Sequence, residues 1–157
     1  MANIVFQLYL SYSQLCIFLS ALSKPFNDWS DRSFTQGFSW RPGSACFRSL
    51  AEEGHHKINL FINEVVPPLS EKCVRAFQVP FETLDGKIEI ASISDSMPFE
   101  IPPGKYILQV EFQDVLNEEV PVINVRLNQG EAEFTILRAD HEIDADSELD
   151  LEAKPAE

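Results

Sequence analysis

The stretch from Cys73 to Ile90, CVRAFQVPFETLDGKIEI, decides the fold. Cys73 to Phe81 is rich in aromatic and β-branched residues with period-2 patterning, which marks a strand rather than a helix. Leu84-Asp-Gly-Lys87 then supplies a D-G turn signal, and Ile88-Glu-Ile90 resumes the strand pattern, so the stretch reads as a β-hairpin.

Outward from there the same grammar repeats. Phe6, Leu8, Leu10 and Tyr12 alternate with Gln7, Tyr9, Ser11 and Ser13, and Leu15 to Leu19 is a continuous apolar run, giving one long strand or two short ones. Phe38–Trp40 and Ser44–Arg48 flank the turn Arg41-Pro-Gly43. Glu52-Glu-Gly54 turns the chain into Lys57–Asn63, whose inward set is Ile58, Leu60 and Ile62, before Pro67-Pro68 breaks it. Met97–Ile101 is short and extended, and Pro102 to Tyr106 turns into Ile107–Phe112. Val120–Leu127 and Ala132–Leu137 are the last strands, joined across Asn128-Gln-Gly130, with Pro121 placing its strand at an edge or start. Roughly ten short strands with turn signals about every ten residues and almost no helix predict an all-β fold, an antiparallel β-sandwich or an open barrel.

One stretch departs from the pattern. In Phe26 to Trp40, FNDWSDRSFTQGFSW, Asp28 suits an N-cap, Asp31 falls three residues on, and Gly37 suits the C′ position. A short helix from Trp29 to Gln36 follows. Five residues apart at about 100° per residue, Trp29 and Phe34 point in different directions, so both do not face one core surface.

The 157 residues suit one core, with 45% hydrophobic residues and 12 phenylalanines. We place a β-sandwich domain over residues 1–139 and a disordered acidic tail over 140–157, where eight carboxylates oppose Lys154 alone. A sharper reading of that tail is an interaction segment anchored by Leu149 and Leu151. Net charge is -13, and both parts are acidic, which argues against direct nucleic-acid or anionic-membrane binding and favours a basic protein partner or simple solubility. Cys16, Cys46 and Cys73 have no metal-ligand spacing, as expected of a reducing compartment. The apolar start lacks a basic n-region and is broken by Gln7, Ser11, Ser13 and Gln14, so a cytoplasmic protein without a membrane span is expected.

Chemistry has no positive signal. His55, His56 and His141 follow no nucleophile signature, and the neighbours His55 and His56 would point to opposite faces of a strand instead of sharing a metal, although their segment reads as a turn. No glycine belongs to a phosphate-binding run. No catalytic residue, metal or cofactor is therefore expected. Trp29 and Trp40 with nearby phenylalanines leave a carbohydrate- or peptide-binding module using exposed aromatics as the alternative function.

Several segments in order carry a resemblance. Ser11-Tyr-Ser-Gln14 with Ile17-Phe18, Asp28-Trp-Ser-Asp31 with Gly37-Phe38, Val79-Pro-Phe81, Gly86-Lys-Ile-Glu-Ile90 and Phe99-Glu-Ile-Pro-Pro-Gly-Lys-Tyr106 resemble the competence protein J (ComJ) family, in one register from about Leu10 to Phe112. The resemblance implies a small cytoplasmic protein, not an enzyme, that binds and inhibits a DNA-entry nuclease. Carboxylates on a rigid scaffold would compete there for a basic substrate cleft. The expected partner contacts are Asp28, Trp29, Asp31 and Phe34, followed by the tail acids Asp140, Glu142, Asp144, Asp146, Glu148 and Asp150.

Overall fold

A computed structural model describes residues 2–114 and 120–156. Its described strands are β1 (Ala2–Leu10), β2 (Gln14–Leu19), β3 (Phe38–Arg41), β4 (Ser44–Arg48), β5 (Gly54–Ile62), β6 (Cys73–Thr83), β7 (Lys87–Ala91), β8 (Ser96–Glu100), β9 (Gly104–Gln113), β10 (Val122–Gln129) and β11 (Thr135–Arg138), with one helix, α1 (Asp31–Gln36). They form a six-stranded sheet in the order β1-β5-β10-β9-β6-β11 and a five-stranded sheet in the order β3-β4-β2-β7-β8. All pairs are antiparallel except β5 with β10.

The stretch CVRAFQVPFETLDGKIEI contains two strands, but they do not form a hairpin. β6 stays in the six-stranded sheet, paired with β9 out to Thr83 opposite Gly104, whereas β7 lies between β2 and β8 in the other sheet. The D-G signal builds a corner. Thr83 Oγ1 accepts the Gly86 N–H at 2.9 Å and Asp85 Oδ1 accepts the Lys87 N–H at 2.9 Å, which bends the chain out of the first sheet. Gly86 has φ +75°, and its carbonyl takes the Ile101 N–H at 2.8 Å.

A second corner lies at the start of the chain. Tyr12 and Ser13 have φ of 55° and 56°, so Phe6–Leu19 is two strands in different sheets. Ser92 Oγ donates to the carbonyls of Ser11 and Gln14 and pins that corner. Tyr12, in phase with Leu8 and Leu10 in the sequence alternation, is 74% exposed as a result, whereas those two are buried. Pro121 precedes β10 by one residue, so its missing N–H costs the ladder nothing although β10 is central in its sheet. β11 pairs with β6 and not with β10, its predecessor in sequence.

The main core lies between the sheets. Ile58, Leu60 and Ile62 face it as the alternation predicts, and Phe38, Phe47, Phe77 and Phe112 meet there at ring separations of 5.7–6.4 Å. The continuous run in β2 is buried on both faces. Its Cys16 and Phe18 form a second cluster with Cys46 and Ala91 on the outside of the five-stranded sheet, under Leu22, Phe26 and Trp29. Cys16 and Cys46 are register partners, all three cysteines are free, and burial foremost pushes the Cys16 thiol well up, with Cys46 adding to the effect. His55 and His56 belong to β5 and not to a turn. They take opposite faces, His56 buried with Nδ1 2.9 Å from the Gly54 carbonyl and His55 exposed, edge-on to Tyr9.

Candidate functional site: helix α1 and the C-terminal strap

Helix α1 begins two residues later than its sequence suggests. Ser30 is the N-cap: its Oγ accepts the Ser33 N–H at 3.0 Å, and Ser33 Oγ accepts the Ser30 N–H at 2.7 Å, a capping box made of two serines. Asp28 is not the cap, because its backbone is engaged elsewhere. Its N–H donates to the Lys154 carbonyl and its carbonyl accepts from Ser39 Oγ, which keeps the chain extended there. Asp31 therefore occupies the first turn, where a carboxylate favours the positive end of the helix dipole. Gly37 closes the helix as expected, at φ +94°.

Trp29 and Phe34 do part company. Trp29 is half-buried over Cys16, Phe18, Cys46 and Ala91, with its Nε1–H directed at Gln14 Oε1 at 3.4 Å. Phe34 is the outward ring, 51% exposed, with the Arg48 guanidinium 3.8 Å from its centroid. The other indole, Trp40, is half-buried, stands edge-on to Phe134 and donates to the Pro80 carbonyl. Neither indole lies open as a flat platform for a sugar.

Residues 140–156, expected as a disordered tail, lie against the sandwich as a strap beside α1. Arg75, whose side chain is fully buried, donates to both carboxylate oxygens of Asp140 and to Glu142 Oε1 at 3.1 Å, and also to the carbonyls of Arg48 and Ser49. Ile143 is buried, and Leu149 and Leu151 pack on the core rim. Burying Ile143 contributes about 2 kcal/mol. Arg32 donates to the carbonyls of Asp144, Ser147 and Glu148, and the fully buried Gln36 side chain exchanges two 2.8 Å bonds with the backbone of Asp150. Farther on, Ala153 N–H bonds the Trp40 carbonyl, and Asn27 bridges to Pro155. These contacts are the physical reason the strap is placed: each carboxyl-rich turn meets a donor fixed on the sandwich.

The expected contact residues thus divide by role. Asp140 and Glu142 are spent on Arg75, Asp144 on Arg32 and Ser147, and Asp150 on Ser30. Backbone donation from Asp146, then the Ser147 hydroxyl, holds the Asp144 carboxyl below the usual range, and the Ser30 hydroxyl, then the Glu152 N–H, does the same for Asp150. Asp28, Asp31, Asp146 and Glu148 are exposed and, among the described residues, form no ion pair. The bonds of Arg32 to residues 144, 147 and 148 bring the first turn of α1 and the free strap acids together.

Arg75, Arg32, Gln36 and Ser30 were not among the expected site residues. The signal for Arg75 is parity: it shares the inward phase of Phe77, Val79 and Phe81, and an arginine on a core face demands a carboxylate partner. Among the described residues no group of three or more His, Cys, Asp or Glu is arranged to hold a metal ion, and no helix is long and apolar enough to cross a membrane.

Residues 7–137 match the family model of Competence protein J (ComJ). The chain belongs to the ComJ family. The resemblance quoted from Leu10 to Phe112 therefore extends through β10 and into β11. Two solved structures are similar in fold. One, described as ComJ, inhibitor of the DNA degrading activity of NucA, from Bacillus subtilis, is 20% identical with a TM-score of 0.71, over 81% of this chain and 96% of that one. The other, described as crocagin biosynthetic gene J, is 16% identical with a TM-score of 0.57, over 83% of this chain and 100% of that one. No functionally curated protein matches in sequence. The family match stops at Leu137, so the strap lies outside it.

Proposed function

We propose that this ComJ-family protein is a cytoplasmic, non-enzymatic inhibitor that binds a DNA-entry nuclease of the NucA type and blocks its substrate cleft. The observation that carries the reading is the set of exposed, unpaired carboxylates Asp28 and Asp31 at the start of α1 and Asp146 and Glu148 on the strap segment that Arg32 ties to the helix, with the exposed Phe34 ring on that same helix. A nuclease cleft is basic because it binds phosphates, and fixed carboxylates entering it replace the polyanion without offering a scissile bond. Phe34 is the apolar anchor of that interface. Trp29 acts from beneath, holding the segment that carries Asp28 and Asp31. Asp140, Glu142, Asp144 and Asp150 position the strap without reaching the partner.

Isothermal titration of the purified NucA-type nuclease of the same organism tests this assignment. Phe34→Ala and the combined Asp28→Asn, Asp31→Asn, Asp146→Asn, Glu148→Gln variant are expected to weaken binding about tenfold or more each. Wild-type affinity in both variants would remove this face from the interface.

A further inference from the structure

At the end of the sandwich marked by the Gly43 turn and the β10–β11 loop, the two sheets part around a cavity of about 550 Å3. Its walls come from both sheets: Leu19 and Trp40 from the five-stranded one, Phe81 and Tyr106 from the six-stranded one, with Ala132 in the connecting loop. The polar ends of the two large rings are turned to the backbone, since Trp40 Nε1–H is bonded to the Pro80 carbonyl and Tyr106 O–H to the Pro102 carbonyl. The ring surfaces left to the cavity are therefore apolar. The rim is different. Leu84 stands 85% exposed beside it, and Glu82 and Glu131 flank it with Lys105, whose ammonium lies 3.5 Å from Glu131. One carboxylate of the three rim charges is left unbalanced, on a molecule of net charge -13.

An apolar hole inside an acidic rim selects for an apolar group next to a cation. We propose that this cavity is a second anchor site for the nuclease partner, taking one aliphatic or aromatic side chain that is flanked in the partner by a lysine or arginine facing Glu82. The inference rests on the inhibitor reading above. A second copy of this chain is the poorer occupant, because it would bring the same acidic rim against itself. The cavity size suits one large side chain with room for its flanking backbone. The strap reaches the cavity wall through the Ala153 N–H bonded to the Trp40 carbonyl.

The test uses the full chain and the purified NucA-type nuclease of its own organism. Ala132→Trp fills the cavity, and Glu82→Lys reverses an exposed rim charge without touching the core. Ala132→Trp is expected to raise the Kd about tenfold, and Glu82→Lys several-fold at low salt with the difference shrinking at high salt. Hydrogen exchange in the wild-type complex is expected to slow over residues 80–84 and 130–132. Glu82→Lys keeps the result decisive should Ala132→Trp fail to fold. Wild-type inhibition with unchanged Kd for Glu82→Lys and no added protection at 80–84 would overturn the cavity inference and leave the inhibitor reading standing. No binding by the wild type would overturn both. Self-association of the wild type in sedimentation, abolished by Ala132→Trp, would give the cavity to a second copy and overturn the proposal.

Discussion

At the scale of single residues, Gly86 shows how little room the corner between β6 and β7 leaves. A Cβ there would sit 2.0 Å from the Ile101 carbonyl oxygen, at a φ of +75° that side chains rarely adopt. Gly86→Ala is expected to cost at least about 3 kcal/mol in urea denaturation, because the obstruction is backbone and cannot rotate away. Buried His56 makes a pH prediction. Burial lowers its folded-state pKa below 6.5, the Gly54 carbonyl opposing only in part. As pH falls below about 6.5 the unfolded chain binds the proton first, so stability is full above that value and is lost as pH drops through the folded pKa. The urea midpoint of wild type should fall between pH 7.5 and 5, and His56→Gln should lose that part of the slope.

At the scale of elements, the strap stands or falls with Arg75. Arg75→Ala leaves Asp140 without its cation and two carbonyls without donors, and is expected to cost about 3 kcal/mol while exposing residues 140–156 to limited proteolysis. The cap couples the strap to α1: Ser30→Ala removes the hydroxyl that depresses the Asp150 carboxyl, so NMR titration should find that carboxyl returned toward the usual range, with a loss of about 1 kcal/mol from the helix cap. Much of this was readable as local pattern. The inward set of β5, the β3–β4 turn, the Gly37 stop and the opposition of Trp29 and Phe34 follow from period and turn chemistry, which act between near neighbours. The corner at Gly86 looks like a hairpin because a D-G pair turns the chain in either case, and only the long pairing of β6 with β9 decides which sheet comes next. The strap looks disordered because its order comes from Arg32, Gln36 and Arg75, which lie 65 to 116 residues away in sequence. The buried pair Arg126–Glu111 at 2.7 Å, with Arg126 over the Phe61 ring, is set by the register of β10 against β9 and β5, which no local pattern in the sequence fixes.

At the scale of the whole molecule, the ComJ-family sandwich is, on the proposed reading, a rigid mount for charge. Net charge -13 raises the encounter rate with a basic partner and loses that advantage as salt screens it. The association rate with the nuclease should therefore fall at least about tenfold between 20 mM and 500 mM salt, with a much smaller change in dissociation rate, as followed by stopped-flow fluorescence. A flat salt profile would mean that the acidic face does not guide association. Inhibition itself can be followed as the degradation of linear DNA by the NucA-type nuclease of the same organism while this protein is added. Cleavage should fall in proportion to added protein and stop near one inhibitor per nuclease. Undiminished cleavage at a several-fold molar excess would contradict the inhibitor reading.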